Sequence, residues 1–343
     1  MLSGRSFSVG YFYQKTLQKI IDKWTIATAY DAIICFSSPM AEYLFRSSIL
    51  KNYFDRDRTP CTLNGAPCFL MDFVDVDSDK WRQYAEKSKL PASLIYGLES
   101  RILLKYEKRI NRYFDFSVFV SQQEAELFLK LSPGARNVIV VSNGVDHEYF
   151  SPDYVNTPAA TMHHVQCTQN SVILFTGAMD YHANIDGVTW FSNEIFPLIR
   201  RDYLPAEFHI VGSNPPSDVK KLAQRPGVKV TGFVKDIRPY YCTADVCVVP
   251  LRLARGIQNK VLEAMSMAKP IVTTSKALEG IDAISGEQVL VADNAESFAG
   301  AVGDLLKDKG KKKSLAVNAR QFVVNHFDWP ANIQILEDLL HKK

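Results

Sequence analysis

ARGIQNKVLEAMSMAKPIV, Ala254–Val272, sets a helical pattern between a glycine and a short apolar run. Ile257, Val261 and Met265 recur every four residues with Leu262 beside them, the spacing of a helix with one buried stripe. Gly256 stands at the helix entrance, and the apolar run in KPIVTT that follows has the length of a buried strand. A helix opened by a glycine and followed by such a strand is one step of a strand–helix alternation.

Outward from that step the second half repeats it. SVILFTG, a helical pattern over Asn184–Arg200, AEFHIVGS, a short helix over Ser217–Gln224 and VKVTGFV precede a helix around Ile237–Cys242 and ADVCVVPL. The Gln258–Ala268 helix, KPIVTT, EQVLVAD and further helices complete the chain. This pattern predicts a parallel sheet covered on both faces, a doubly wound, Rossmann-like α/β domain.

The first half alternates less completely, with strands at DAIICFSS, CFLMDFV, FSVFVS and NVIVVSNGV and a long helix over Ala92–Phe114. SPDYVNTPAATMHHVQCTQNS lacks periodicity, so residues 151–170 read as the linker. The expected organisation is a first Rossmann-like domain at 1–150, a second at 171–328 facing it across a cleft, and a helix at 329–343 packing back toward the first.

At 343 residues and 47% hydrophobic the chain has material for two cores. Its net charge of +3 is nearly balanced, so neither nucleic acid nor any other large anionic surface is implied as a partner by composition. Six cysteines show no CxxC pair and no zinc spacing, and read as thiols of a reducing compartment. No stretch reaches the roughly 18 apolar residues of a membrane span, and the N-terminus lacks a signal-peptide core. The expectation is a cytoplasmic protein, with peripheral association at the inner membrane left open. YFYQKTLQKIIDKW is an amphipathic helix expected to pack on the sheet rather than anchor to a membrane, and KDKGKKK, Lys307–Lys313, a solvated loop between two helices rather than an anionic-lipid contact.

Ligands of open parallel sheets sit where strands end and helices begin, because unbonded amides and the helix dipole gather there. The junctions here are Gly177-Ala178-Met179-Asp180, Gly212-Ser213-Asn214, Thr231-Gly232-Phe233, Pro250-Leu251 and the start at Gly256. Lys260 and Glu263, with Asn259, share one face of the Gln258–Ala268 helix. A pyrophosphate there would meet amides, Lys260 and Arg255, and Glu263 would accept both hydroxyls of a ribose. The alternative is an exposed Lys260–Glu263 ion pair worth roughly half a kcal/mol. His182 lies in a loop within reach of the same place.

The stretch resembles the nucleotide-sugar motif of GT-B glycosyltransferases of retaining family four, a glutamate, seven residues, a second glutamate, then Ala-Met and a Pro-Val strand. Glu263-Ala264-Met265 matches its second half. TGAMDYHANIDGVTWF, FHIVGSNP, VTGFVKDIRPYYCTADVCVVPL, MDFVDVDSDKW and VSNGVDHEYFSP extend the similarity over almost the whole chain. In this order they look most like the bacterial enzymes associated with exosortase (PEP-CTERM) and exopolysaccharide gene clusters.

The resemblance implies two Rossmann-like domains and a sugar transfer from a nucleoside-diphosphate donor, with retention and no required metal. The acceptor would be a glycan or lipid-linked glycan. It gives Glu263 the donor ribose, the Gly256 helix start with Asn259 and Lys260 the diphosphate, and Gly177 the phosphate end. Gly212 and Met179 belong to the same donor loops, while Gly232, Phe233 and Val234 would hold the base through backbone contacts. The first glutamate of the family pair falls at Arg255; the exosortase-associated group also reads Arg-Gly-Ile-Gln-Asn-Lys, so Arg255 is expected to neutralise the departing diphosphate.

Chains of this type begin with a strand and a Gly-rich loop that Met1–Arg5 does not match, so the leading strands are expected to be missing. In MDFVDVDSDKW the aspartates lack calcium-loop spacing, and Ser78 or Asp77 reads as a helix N-cap. Asp75 aligns with a cleft residue of the family and is the candidate acceptor contact or base. Competing readings are a non-catalytic nucleotide-binding or scaffold protein of the same fold, and a sugar-nucleotide epimerase.

Overall fold

The computed structural model describes residues 6–54, 67–156, 170–202, 205–254 and 256–341. The chain forms two compact units, Met1–Ser142 with Ile333–Lys343 (unit 1) and Asn143–Asn332 (unit 2). Each is built on its own all-parallel sheet.

In unit 1 the strands β1 (Ala32–Phe36), β2 (Cys68–Val74), β3 (Phe116–Phe119) and β4 (Val138–Val140) lie in the order β1-β2-β3-β4. CFLMDFV is nearly continuous in apolar residues because β2 is covered on both faces, with Phe69, Leu70 and Met71 fully buried. Phe73 stacks on Phe119 with centroids 5.1 Å apart. The helices are α1 (Phe7–Phe12), α2 (Lys15–Ala27), α3 (Ala41–Arg46), α4 (Asp77–Lys87), α5 (Ala92–Tyr113) and α6 (Gln122–Leu131). Leu336 and Leu339 of the C-terminal helix join Leu70, Val118 and Val141 in one apolar cluster.

Three buried glutamates bind helix starts in this unit. Glu99 accepts from Ser6 Oγ and the Phe7 and Ser8 amides, Glu107 from the Ser78 amide and hydroxyl, and Glu124 from the Val76 amide. Each puts a carboxyl group against the start of a helix. The α4 cap therefore differs from the sequence expectation: Val76 precedes the helix, and Ser78 is turned inward to Glu107. A second difference is α2, whose Ile20, Trp24 and Ile26 remain exposed; only Gln18 is buried.

Unit 2 has β5 (Ser171–Thr176), β6 (Ala206–Val211), β7 (Val228–Val230), β8 (Val246–Val249), β9 (Ile271–Thr273) and β10 (Leu290–Val291) in the order β10-β9-β8-β5-β6-β7. The reversal of order at β5 is the switch point where such sheets open a crevice at the strands' carboxyl ends. The helical pattern of Asn184–Arg200 is interrupted by a π turn at Phe191–Ile195, where Phe191, Ile195 and Phe196 all turn into the core.

The boundary falls at Ser142/Asn143, earlier than residue 150. Val145 pairs with Asp328, Phe150 packs on the unit 2 core, and the Arg320 guanidinium collects the carbonyls of His147, Phe150 and Ser266. The expected linker lies partly within unit 2, as a 3-10 turn at Pro152–Asn156, and partly outside the described residues. KDKGKKK is not a loop: Asp308 alone separates two helices and accepts from the Lys311 amide, capping Lys309–His326.

Candidate functional site

At the carboxyl end of the unit 2 sheet the exits of β5 and β6 run against each other, with the Gly177 amide donating to Val211 O at 3.0 Å. A Cβ at Gly212 would drive into the Gly177 carbonyl. One at Gly177 would lie 2.8 Å from Asn184 Nδ2 and 3.2 Å from Lys260 Nζ. Glycine at both positions keeps the floor open, and above it is a cavity of about 430 Å³.

The wall is supplied by the Asn259–Ser266 helix. Val261, Leu262 and Met265 are fully buried, which turns Lys260 and Glu263, three residues apart, toward the cavity. No acidic residue occupies the first turn of this helix, so the positive end of its dipole is not neutralised from within. Lys260 Nζ donates to Asn184 Oδ1 at 2.5 Å, and Asn184 Nδ2 donates to Ala178 O at 2.8 Å. Tyr241 OH donates to Glu263 Oε2 at 2.9 Å, and lies 2.9 Å from the Thr176 hydroxyl, which completes the chain as donor.

Burial pushes Lys260 down to about 8, with the Glu263 charge opposing. Burial raises Glu263, opposed by the Tyr241 hydrogen bond and the Lys260 charge. Burial thus disfavours both charged forms. A ligand that brings negative charge to Lys260 and hydroxyl donors to Glu263 offsets this for both.

Of the residues singled out from sequence, Gly177, Gly212, Phe233, Val234, Asn259, Lys260 and Glu263 line this cavity. Gly232 adjoins Phe233, and Gly256 with φ 60° leads into Ile257 and Gln258, which also line it. Phe233 is 80% exposed, an aromatic face held out in solvent at the cavity wall rather than a backbone contact alone. Met179 is a core residue, fully buried, with its amide donating to Ser213 O. His182 opens the His182–Trp190 helix, is exposed, and is not among the residues lining this cavity. Arg255 lies outside the described residues.

Asp75 belongs to unit 1, directly after β2, where Val74 holds a positive φ of 66° and the register with β3 shifts. Among its neighbours Asp72 Oδ1 accepts from the Val74 amide, and Asp79 accepts from Arg82 and Gln83. Asn184, Tyr241 and Thr176 escaped the sequence reading. None stands out by residue type or spacing, and only the packed structure brings their polar atoms to Lys260 and Glu263.

Residues 170–308 match the family model described as glycosyl transferases group 1. An uncharacterized 44.6 kDa protein in cps region from Klebsiella pneumoniae is 22% identical over 243 residues, 68% of this chain; the match spans 58% of that protein's length. Sucrose-phosphate synthase from Thermosynechococcus elongatus superposes with a TM-score of 0.70 at 19% identity, over 94% of this chain and 76% of its own. Anabaena HepE, solved in complex with UDP and glucose, superposes with a TM-score of 0.69 at 14% identity, over 96% and 82%. TarM does so with a TM-score of 0.66 at 12% identity, over 95% and 58%. The fold, two parallel-sheet α/β units, is that of GT-B glycosyltransferase structures.

Proposed function

We propose that the chain is a glycosyltransferase that takes a sugar from a nucleoside-diphosphate donor bound in the unit 2 cavity. The observation that carries this reading is the pairing of Lys260 on Asn184 with Glu263 on Tyr241, across a floor of Gly177 and Gly212. The cation and open helix start suit a diphosphate, the carboxylate suits a ribose diol, and exposed Phe233 suits stacking on the base. HepE in complex with UDP and the match to group 1 glycosyl transferases support the same donor class.

The finer assignment is to retaining family four and its exosortase-associated group. It rests on Glu263-Ala264-Met265 and the preceding Arg-Gly-Ile-Gln-Asn-Lys. A glycan or lipid-linked glycan acceptor in exopolysaccharide assembly is supported by the Klebsiella relative from a cps region. Asp75 is the proposed acceptor contact or base, supported by its position after the strained Val74. A cytoplasmic setting is supported by the free thiols of Cys35, Cys242 and Cys247.

Calorimetric titration of the full chain with UDP, GDP and ADP tests the donor site. One of the three is expected to bind, and Lys260→Met to weaken it by about tenfold, the worth of one charged hydrogen bond. Failure of all three to bind would overturn the reading.

A further inference from the structure

Unit 2 holds a second cavity, of about 340 Å³, at the opposite end of its sheet from Lys260 and Glu263. It lies where β6 and β7 begin, and its lining includes Ser192, Phe196, Arg200, Arg201, Arg225 and Pro226. The length of β6, six residues or about 20 Å, separates it from the carboxyl-end cavity. Three arginines therefore meet in one opening that lies apart from the site described above.

The Phe196–Asp202 helix carries Arg200 and Arg201 in its last turn, where cations suit the helix dipole without any ligand. Arg201 is engaged, its Nε and Nη2 donating to the two oxygens of Asp202 at 3.0 and 3.1 Å. Arg200 Nη1 donates to Pro226 O, but Arg200 Nε is buried with no hydrogen-bond partner. Arg225 is exposed and, among the described residues, makes no ion pair. The dipole leaves Ser192 unexplained. It is 1% exposed, and its hydroxyl has no hydrogen-bond partner. A serine inside a helix can return its hydroxyl to the carbonyl one turn back. Within the π turn Phe191–Ile195 it does not, and a buried hydroxyl left alone costs stability.

We infer that this cavity binds a phosphoryl group, free or on a small monoester, with Arg200 Nε, the Arg225 guanidinium and the Ser192 hydroxyl as its donors. A carboxylate is matched by the planar fork of one guanidinium. Donors that arrive from three separate places in the chain suit a tetrahedral dianion instead. Such a ligand would satisfy the two buried donors that the fold leaves unpaired and offset the charge of Arg225. This site needs nothing from the donor reading of Lys260 and Glu263.

Calorimetric titration of the full chain with inorganic phosphate and with phenyl phosphate is the test. Both should bind saturably, and acetate at equal ionic strength should not. Tighter binding of phenyl phosphate identifies a monoester as the source, through the wall of Phe196, Pro197 and Pro226. Tighter binding of inorganic phosphate identifies the free ion. Arg225→Gln should weaken both about tenfold and Ser192→Ala about fivefold, the worth of one hydrogen bond each. Arg225 is exposed, so its variant should melt as the parent does. Without ligand, Ser192→Ala should melt no lower than the parent, because the hydroxyl it removes has no partner in the fold. Absence of saturable phosphate binding overturns the inference. So does equal binding of acetate, or binding that Ser192→Ala leaves untouched. A loss confined to Lys260→Met overturns it too, since the phosphate would then sit in the other cavity.

Discussion

Glu107 of unit 1 is buried at a helix start and Glu263 of unit 2 is half-buried one turn into a helix, and the two are put to different use. In unit 1 both oxygens of Glu107 are taken by Ser78, at 3.0 Å from its amide and 2.5 Å from its hydroxyl. In unit 2 Tyr241 holds one oxygen of Glu263, and the residue lines an open cavity beside Lys260. Burial raises both carboxyls, Glu107 to about 8. A perturbed carboxyl alone therefore does not mark a ligand site. What separates the two is a remaining acceptor with somewhere for a donor to arrive.

The sharpest way to break the comparison is to close that space. Gly212→Ala sets a methyl against the Gly177 carbonyl, a collision of backbone with side chain that no rotamer relieves. Unit 2 should lose about 3 kcal/mol of stability, seen as a lowered melting temperature, and nucleotide binding should disappear with it. Next in size, Glu263→Ala should leave the fold intact and lower nucleoside-diphosphate affinity about thirtyfold, on the order of 2 kcal/mol for hydrogen bonds to a charged group. Unchanged affinity by calorimetry would return Glu263 to the structural class of Glu107.

The sheets were largely legible because period and composition are local. CFLMDFV and SVILFT read as buried strands without knowing their neighbours, and both are. The stripe Val261, Leu262, Met265 likewise fixed which way Lys260 and Glu263 face. What escaped depends on contacts between residues far apart in the chain. Tyr241 reaches Thr176 and Glu263 across 65 and 22 positions, and Asn184 reaches Lys260 across 76. Met179 sat in a glycine loop by sequence, yet its side chain is core. The α4 cap was misplaced for the same reason, since Glu107, 29 residues away, draws Ser78 inward.

Glu107 sharpens the contrast from its own side. Its folded value, about 8, stands above its ordinary value of 4.5, so the stabilisation from the protonated buried form is complete below about 4.5. That stabilisation is lost as pH rises toward and through 8. Denaturant titrations of the chain and of Glu107→Gln should therefore diverge with pH. The stability of the parent relative to the variant should fall progressively between pH 4.5 and 8. A difference that stays flat over that range would mean that Glu107 titrates normally and that its burial costs little.

The smallest effect isolates the residue that makes Glu263 different. Tyr241→Phe keeps the ring in the core, where Tyr241 is 1% exposed, and removes only the hydroxyl that holds Glu263 and receives Thr176. Losing one such bond costs about 1 kcal/mol, so nucleotide affinity near neutral pH should fall about fivefold. Tyr241 is a positioning residue on this account, and pH distinguishes that role from mere packing. The hydroxyl's hydrogen bond lowers the Glu263 value against burial, so its removal lets the carboxyl protonate at higher pH. Relative to the parent, Tyr241→Phe should lose further affinity as pH falls below neutral and regain part of it as pH rises. A loss of the same size at every pH would assign Tyr241 to the core alone.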